Sequence, residues 1–585
     1  MRNRVQVSQS MEVKVLLTVV GRVIVCMALV GSASVTASAQ GQKETPPVRP
    51  FVSQDSVRVP APERQERPQL ELPEVLVYGR DVSLRLDGRK FDVTPPSPIP
   101  RELSRREQVL ADTAVLAARE EAPGGQPVGP RSLLLRSRVG SYWTTDVEAL
   151  FRQARRRLTY GGEMAFRRSD GAVINGHYAM LDLVGRSGYQ FSPSGTVRGY
   201  LAMSQKGYGL SGATLPDSSR PRKAERHTSA VGIGAELDLR SGAHGQLFAS
   251  YDFLSLRSSD DTLQAQLSRI SGGTHRAALR FSQRLGTTDV SGQASYLREG
   301  YSPGSGRDVR NSWAKVEFGA SRAVMKKARA YLGLGLEEFS SHQTHKTALI
   351  VVGRMAVPLA PEVGLTLQVR RGHDYRQMSD CWEENPYFDP GMQVRPVFTK
   401  CALALGAEWR LATRLVLGAQ VSRSWLQNQW YWQRDPATGL FTAGVVPTLA
   451  LNRAVLTLRG EPSSRLGLDA QFVLCDDFFD LPQLPQDGDV PYLAHRRLAV
   501  SIPYRLSERT RVELRSDVMS GRTADILSQT RLRPYALVGC TVTHRLGRQV
   551  SLFLQGENLT NRRYQRWQGY REMGLSILAG GFASW

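Results

Sequence analysis

No stretch of this chain after Arg22 approaches the roughly 18 apolar residues that a membrane-spanning helix requires. That absence excludes a bundle of such helices but not a protein that crosses with strands, where only every second residue meets lipid. A mean hydropathy of -0.30 is therefore no argument for a soluble protein. A repeat of blade length is also missing, which argues against a propeller. Cysteine is sparse, five in all, and Cys26 falls in an export leader, so Cys381, Cys401, Cys475 and Cys540 remain. Cys381 lies in a long connection through Asn385, Pro386 and Pro390, and Cys401 lies just inside the next strand. Export permits disulfides, so these two are a candidate pair that would pin the loop. Cys540 shares the parity of Val538 and Val542 and reads as lipid-facing.

Catalytic chemistry has no recognisable constellation. His342 and His345 form an H-x-x-H pair, but extended chain puts the two rings on opposite faces and no third ligand is evident. Asp476, Asp477, Asp480, Asp487 and Asp489 form an acidic stretch that reads as a solvated loop or as a calcium site. We assign no catalytic, cofactor or metal residue and expect the protein not to be an enzyme.

What the chain does have, from about Arg131 to Trp585, is short alternation of apolar and polar residues punctuated by turns. In Arg511 to Val518, one parity carries Val512, Leu514 and Val518, and the other carries Arg511, Glu513, Arg515 and Asp517. Successive strand side chains point to opposite faces, so the first set suits lipid and the second an aqueous lumen. Charges such as Glu236 and Asp238 occupy the inward parity, where a soluble sandwich needs apolar side chains. We therefore expect an all-β fold, a membrane-spanning antiparallel β-barrel of about 22 strands over residues 131–585. Tight turns alternate with longer connections near 209–224, 258–273, 379–397, 477–490 and 521–531, and the long ones belong outside the cell.

Ahead of the barrel, residues 1–39 read as a signal peptide: Arg2, Arg4, Lys14 and Arg22 are basic, Val23 to Val30 are apolar, and Ala37-Ser38-Ala39 offers a cleavage site. Residues 40–130 hold 14 of the 31 prolines and form a proline-rich periplasmic arm unable to bury a core. Within it, Ser104 and Glu107 have capping-box spacing and predict a helix over 105–120. Glu74, Val75, Leu76, Val77, Tyr78 and Gly79 form a β-prone run suited to adding a strand to another protein's sheet edge. The formal charge of +22, or +19 without the four basic residues and one acidic residue of the leader, favours anionic partners. For an exported barrel these are phosphorylated outer-membrane lipid or anionic solutes, and we assign no nucleic-acid partner.

Near the C-terminus, Glu557-Asn558-Leu559-Thr560-Asn561-Arg562-Arg563-Tyr564, then Gly569-Tyr570 and a final strand from Leu575 to Trp585, resembles the closing strands of TonB-dependent receptors. Gly140-Ser141-Tyr142 and Arg167-Arg168-Ser169-Asp170-Gly171 look like that family's opening strands and first external loop. The resemblance implies a 22-stranded outer-membrane barrel for solute uptake, energised by a TonB-like periplasmic partner, with Glu74 to Gly79 as the energy-coupling strand. It also implies a globular plug, for which only about fifty residues, 80–130, are present. A barrel this wide is not filled by its own side chains. The function expected is that of a receptor or transporter with a reduced or absent plug, its solute unidentified. The alternatives are a plugless barrel that scaffolds a partner or plug protein, and a passive pore lined by Arg511, Glu513, Arg515 and Asp517. Trp382, Tyr387 and Phe388 are the candidate ligand loop, because aromatics hold solutes by stacking, whereas Trp425 and Trp430 suit the interfacial girdle.

Overall fold

The computed structural model describes residues 131–585 apart from stretches within connections, at 172–175, 211–223, 243–244, 262–265, 304–307, 325–327, 342–343, 386, 390–391, 393–394, 480–488, 527–529, 548 and 573. The leader, the arm, its helix over 105–120 and the strand from Glu74 to Gly79 lie outside the described residues.

The first ten strands are β1 (Arg131–Gly140), β2 (Thr144–Arg155), β3 (Leu158–Ser169), β4 (Tyr178–Ser192), β5 (Gly195–Gly209), β6 (Glu225–Ser241), β7 (Gly245–Asp261), β8 (Gln266–Leu285), β9 (Thr288–Pro303) and β10 (Val309–Ala323). The next nine are β11 (Arg329–Ser341), β12 (His345–Ala360), β13 (Val363–Asp374), β14 (Val397–Ala412), β15 (Leu415–Arg434), β16 (Phe441–Gly460), β17 (Leu468–Phe479), β18 (Arg496–Arg505) and β19 (Thr510–Met519). A small hairpin of β20 (Arg522–Thr523) and β21 (Arg531–Leu532) precedes β22 (Tyr535–Arg545) and β23 (Val550–Glu557). A second hairpin, β24 (Gln565–Trp567) and β25 (Tyr570–Arg571), precedes the last strand, β26 (Ser576–Ser584). Between β13 and β14 lies a seven-residue helix, α1 (Met378–Glu384).

Omitting the two hairpins, 22 strands pair antiparallel, each with its neighbour in sequence, and β26 pairs with β1. The result is a closed up-and-down barrel, as the alternation predicts. Closure leaves the wall no free edge, which lipid would not satisfy. At the seam, Leu133 and Trp585 exchange backbone hydrogen bonds of 3.0 and 2.9 Å. Gly580 is needed there, since a Cβ would fall 2.1 Å from the Ser137 carbonyl oxygen.

Strand chemistry sets the two faces. In β11, Leu332, Leu334 and Leu336 are 56%, 50% and 60% exposed on the outside, whereas Glu337 is buried within. Connections at one end, such as Arg155 to Leu158 and Ala360 to Val363, are tight, and those at the other end are long; following the rule for such barrels we term these the inner and outer rims. One expected long loop is short: β7 and β8 continue to Asp261 and from Gln266, so 258–273 is mostly strand. Leu256 and Ile270 point inward and are buried, which breaks the alternation that marks a strand.

Candidate functional site at the outer mouth

The connection from β13 to β14 folds into the mouth of the barrel instead of standing away from it. Its start is pinned to β9 and β10: the Tyr375 hydroxyl donates to Glu299, Asn311 Nδ2 donates to Tyr375 at 3.0 Å, and the Met378 amide donates to Glu299 Oε1 at 3.0 Å. Gln377 and Asp380 cap α1, with the Gln377 amide 3.3 Å from Asp380 Oδ2. Glu384 closes the helix by pairing with Arg376 and accepting a 3.0 Å bond from Trp432 Nε1 on β15.

After the helix, Asn385 Oδ1 accepts from the Tyr387 amide at 3.0 Å, and the chain then runs beside the start of β16. Phe441 N–H donates to the Tyr387 carbonyl at 3.0 Å and Asp389 N–H to the Phe441 carbonyl at 2.7 Å. On the other side, Arg226 of β6 donates Nε and Nη2 to Asp260 of β7 at 2.5 and 2.6 Å, and Nη1 to the Phe388 carbonyl at 2.7 Å. In a ring of 22 strands, β6 and β16 stand ten apart, so this segment ties nearly opposite sides of the wall.

Apolar packing consolidates the crossing. Phe388 and Phe441 are 0% exposed, and Tyr178, Tyr208, Ile270, Tyr301, Trp430, Trp432, Trp567 and Tyr570 join them in one core. Tyr387 stacks on Tyr570 with centroids 3.7 Å apart, and Tyr570 donates its hydroxyl to the Gly439 carbonyl at 3.3 Å. Trp567 meets Trp432 and Phe441 edge-on. These residues come from the outer ends of strands all round the ring and from the loop before β26. They make a roof over the lumen, held by aromatic burial and by one buried bidentate ion pair.

The roof changes the reading of the aromatic loop. Tyr387 and Phe388 are interior residues of the roof, not solute contacts open to the outside, because the loop turns inward to bury them; Trp382 sits on α1. Trp430 is likewise buried inside, not part of a girdle: it shares the inward parity of Ser424, Leu426 and Trp432, all of them buried, and β15 keeps one register with β16 throughout. The expected disulfide is not formed, and Cys381 and Cys401 are both free. Cys381 is buried in the roof, while Cys401 shares the parity of the outward Leu403 and Leu405, so the wall itself separates them. Burial also pushes the Cys381 thiol up from its ordinary value, which leaves it protonated and inert. Cys540 lies opposite the outward Leu514.

The four charges expected on β19 lie on the parity opposite Leu514 and Val518. Arg515 Nε donates to Glu513 Oε1 at 2.7 Å, Ser501 donates to the same oxygen at 2.9 Å, and Arg497 holds Asp517 at 3.0 Å. Arg511 is exposed near the inner rim. Similar clusters recur round the interior, including Arg138 with Asp146 at 2.5 Å and Lys315 with Glu317 at 2.9 Å. The lumen lining is therefore polar, charged and largely self-paired.

Sequence reading missed Arg226, Asp260, Glu299 and the role of Tyr570: Asp260 pairs with Arg226, 34 residues away, and the hydrogen bonds by which the others build the roof span 76 to 162 residues. A usable signal existed in apolar residues on the inward parity at strand ends, as at Leu256 and Ile270.

No protein-family model and no curated protein matches this chain. Among solved structures it is similar to the FrpB iron transporter from Neisseria meningitidis, with 11% identity, a TM-score of 0.64, and 78% of this chain and 81% of that chain covered. It is also similar to the siderophore receptor PiuA from Acinetobacter baumannii, at 10% identity and a TM-score of 0.61, covering 78% and 82%. The copper transporter OprC aligns with a TM-score of 0.62 at 11% identity, covering 78% and 80%. The chain shares the barrel fold of these receptors and transporters.

Within that fold the C-terminal motif has a structural role. Asn558 and Asn561 both adopt φ 47°, a left-handed conformation that asparagine tolerates. The Asn558 side chain donates to the Arg562 carbonyl at 2.8 Å and accepts from the Arg562 amide at 3.0 Å, closing the turn. Leu559 N–H and Thr560 Oγ1 then donate to the Val538 and Ala536 carbonyls of β22 at 2.8 and 3.1 Å. On the same outer rim, Tyr142 donates its hydroxyl to the Leu575 carbonyl at 3.1 Å, tying the first outer turn to the start of β26.

Proposed function

We propose that this protein is an outer-membrane receptor that takes up a small solute, closed at its outer mouth by the 375–396 segment and driven by a TonB-like periplasmic partner. The observation that carries this reading is the packed roof across the mouth of a 22-stranded barrel whose lumen is lined with charge. A roof suits a gated receptor better than a passive pore. The similar solved structures are a siderophore receptor, an iron transporter and a copper transporter, and metal chelates are the first solutes to test.

In this reading, Glu74 to Gly79 adds a strand to the partner's sheet edge, where main-chain hydrogen bonds transmit a pull. Residues 80–130 take the place of a full plug and act from the periplasmic side. Deleting residues 71–80 is expected to abolish uptake while the barrel still assembles in the outer membrane. Uptake that persists in the deletion strain would refute energy coupling through the arm. The shortness of the 80–130 segment favours one second reading, a barrel that scaffolds a separate plug protein; a stoichiometric partner co-purifying with a barrel that shows no uptake would establish it.

A further inference from the structure

We infer that Asp477, Asp489 and His495 form a binding site for a divalent first-row transition-metal cation at the outer rim. Asp477 stands at the end of β17, Asp489 lies in the loop that follows, and His495 immediately precedes β18. One ligand atom from each lies within 4.8 Å of the others. His495 Nε2 is 3.2 Å from Asp489 Oδ1 and 3.8 Å from Asp477 Oδ1. A cation bonded tetrahedrally at about 2.1 Å to each holds its ligand atoms about 3.4 Å apart, between the two separations from His495 Nε2.

The second atom of every ligand is already engaged. His495 Nδ1 lies 3.1 Å from the Cys475 carbonyl, which can only accept, so Nδ1 carries the proton and Nε2 offers its lone pair. Asp477 Oδ2 accepts from the Val490 amide at 2.7 Å, and Asp489 Oδ2 accepts from Thr523 Oγ1 at 3.1 Å with Arg531 3.6 Å away. That leaves Asp477 Oδ1, Asp489 Oδ1 and His495 Nε2 converging on one point. Two of these atoms, Asp477 Oδ1 and His495 Nε2, are buried without a hydrogen-bond partner. The Asp477 side chain is 1% exposed, so its free oxygen faces the site and not water.

Unsatisfied buried carboxylate is costly, and a divalent cation balances two carboxylates while leaving the imidazole neutral. One imidazole nitrogen and two carboxylate oxygens suit zinc, manganese or ferrous iron, whereas calcium takes six to eight oxygens. His495 and Asp489 are each 28% exposed, which gives the cation an entry path and room for water or a further ligand. The same loop carries Tyr492, whose ring packs on Phe441 and Trp567, so the site borders the roof.

The test uses the full-length protein in detergent, stripped with chelator and titrated with Co(II) followed by visible absorption, then displaced with Zn(II). One equivalent with a ligand-field band is expected, weakened tenfold or more in Asp477→Asn and His495→Ala, and 10–100-fold in Thr523→Val. Heat-modifiable gel mobility checks that each variant barrel is folded. Should a variant fail to fold, anomalous diffraction from zinc-soaked wild-type crystals locates the cation directly. Absence of stoichiometric binding, binding indifferent to all three substitutions, zinc density elsewhere, or uptake of calcium alone would each overturn the inference. None of these outcomes depends on whether the barrel transports a solute.

Discussion

The two rims of this barrel obey different constraints. At the inner rim, strands reverse in tight turns such as Leu285 to Thr288, where Gly286 at φ 62° has open space around it. Those turns need only the right backbone geometry. At the outer rim, side chains contributed by β6, β9, β15, β16 and the loop before β26 pack against one another and against a segment crossing the mouth. Strand pairing holds the inner rim, whereas long-range side-chain contacts hold the outer one. A substitution at the outer rim therefore has consequences across the whole mouth.

The strongest way to break this contrast is Arg226→Ala. It removes two charge-assisted hydrogen bonds to the buried Asp260 and the anchor of the Phe388 carbonyl. Leaving one partner of a buried pair uncompensated costs about 3–5 kcal/mol. Reversible urea unfolding in lipid vesicles should show a loss of that size, with faster protease cleavage inside 375–396. A loss no larger than the ~0.5 kcal/mol typical of a surface change would mean that the pair does not hold the roof. A smaller effect is expected of Tyr570→Leu, which keeps apolar bulk but loses the stack on Tyr387 and the bond to Gly439. Stacking of this kind contributes about 0.5–1.5 kcal/mol beyond buried area. The same unfolding assay should return a value in that range, with the wall intact.

How much of this was legible in the sequence follows the same division. The wall was readable because alternation is local: Val231 and Ile233 point out, Glu236 and Asp238 point in, and 22 such segments close on themselves. Glu513, Arg515 and Asp517 share one parity, opposite the exposed Leu514 and Val518, by the same local rule. The roof was not. Tyr387 and Phe388 carry no local sign that their loop turns inward, and the partners that hold them, Arg226, Phe441 and Tyr570, are remote in sequence. The expected Cys381 to Cys401 bridge failed because closeness in sequence does not reveal that a barrel wall stands between two side chains. Asp477 and Asp489 were noticed as an acidic stretch, but only the return of the loop brings His495 to them.

The central claim is that the outer mouth is bridged shut by the 375–396 segment. Ion conductance of the full-length protein in planar bilayers tests it most directly, comparing wild type with a deletion of residues 378–392. The account predicts a nearly silent wild type and higher conductance in the deletion variant. Large, steady wild-type currents left unchanged by the deletion would contradict it.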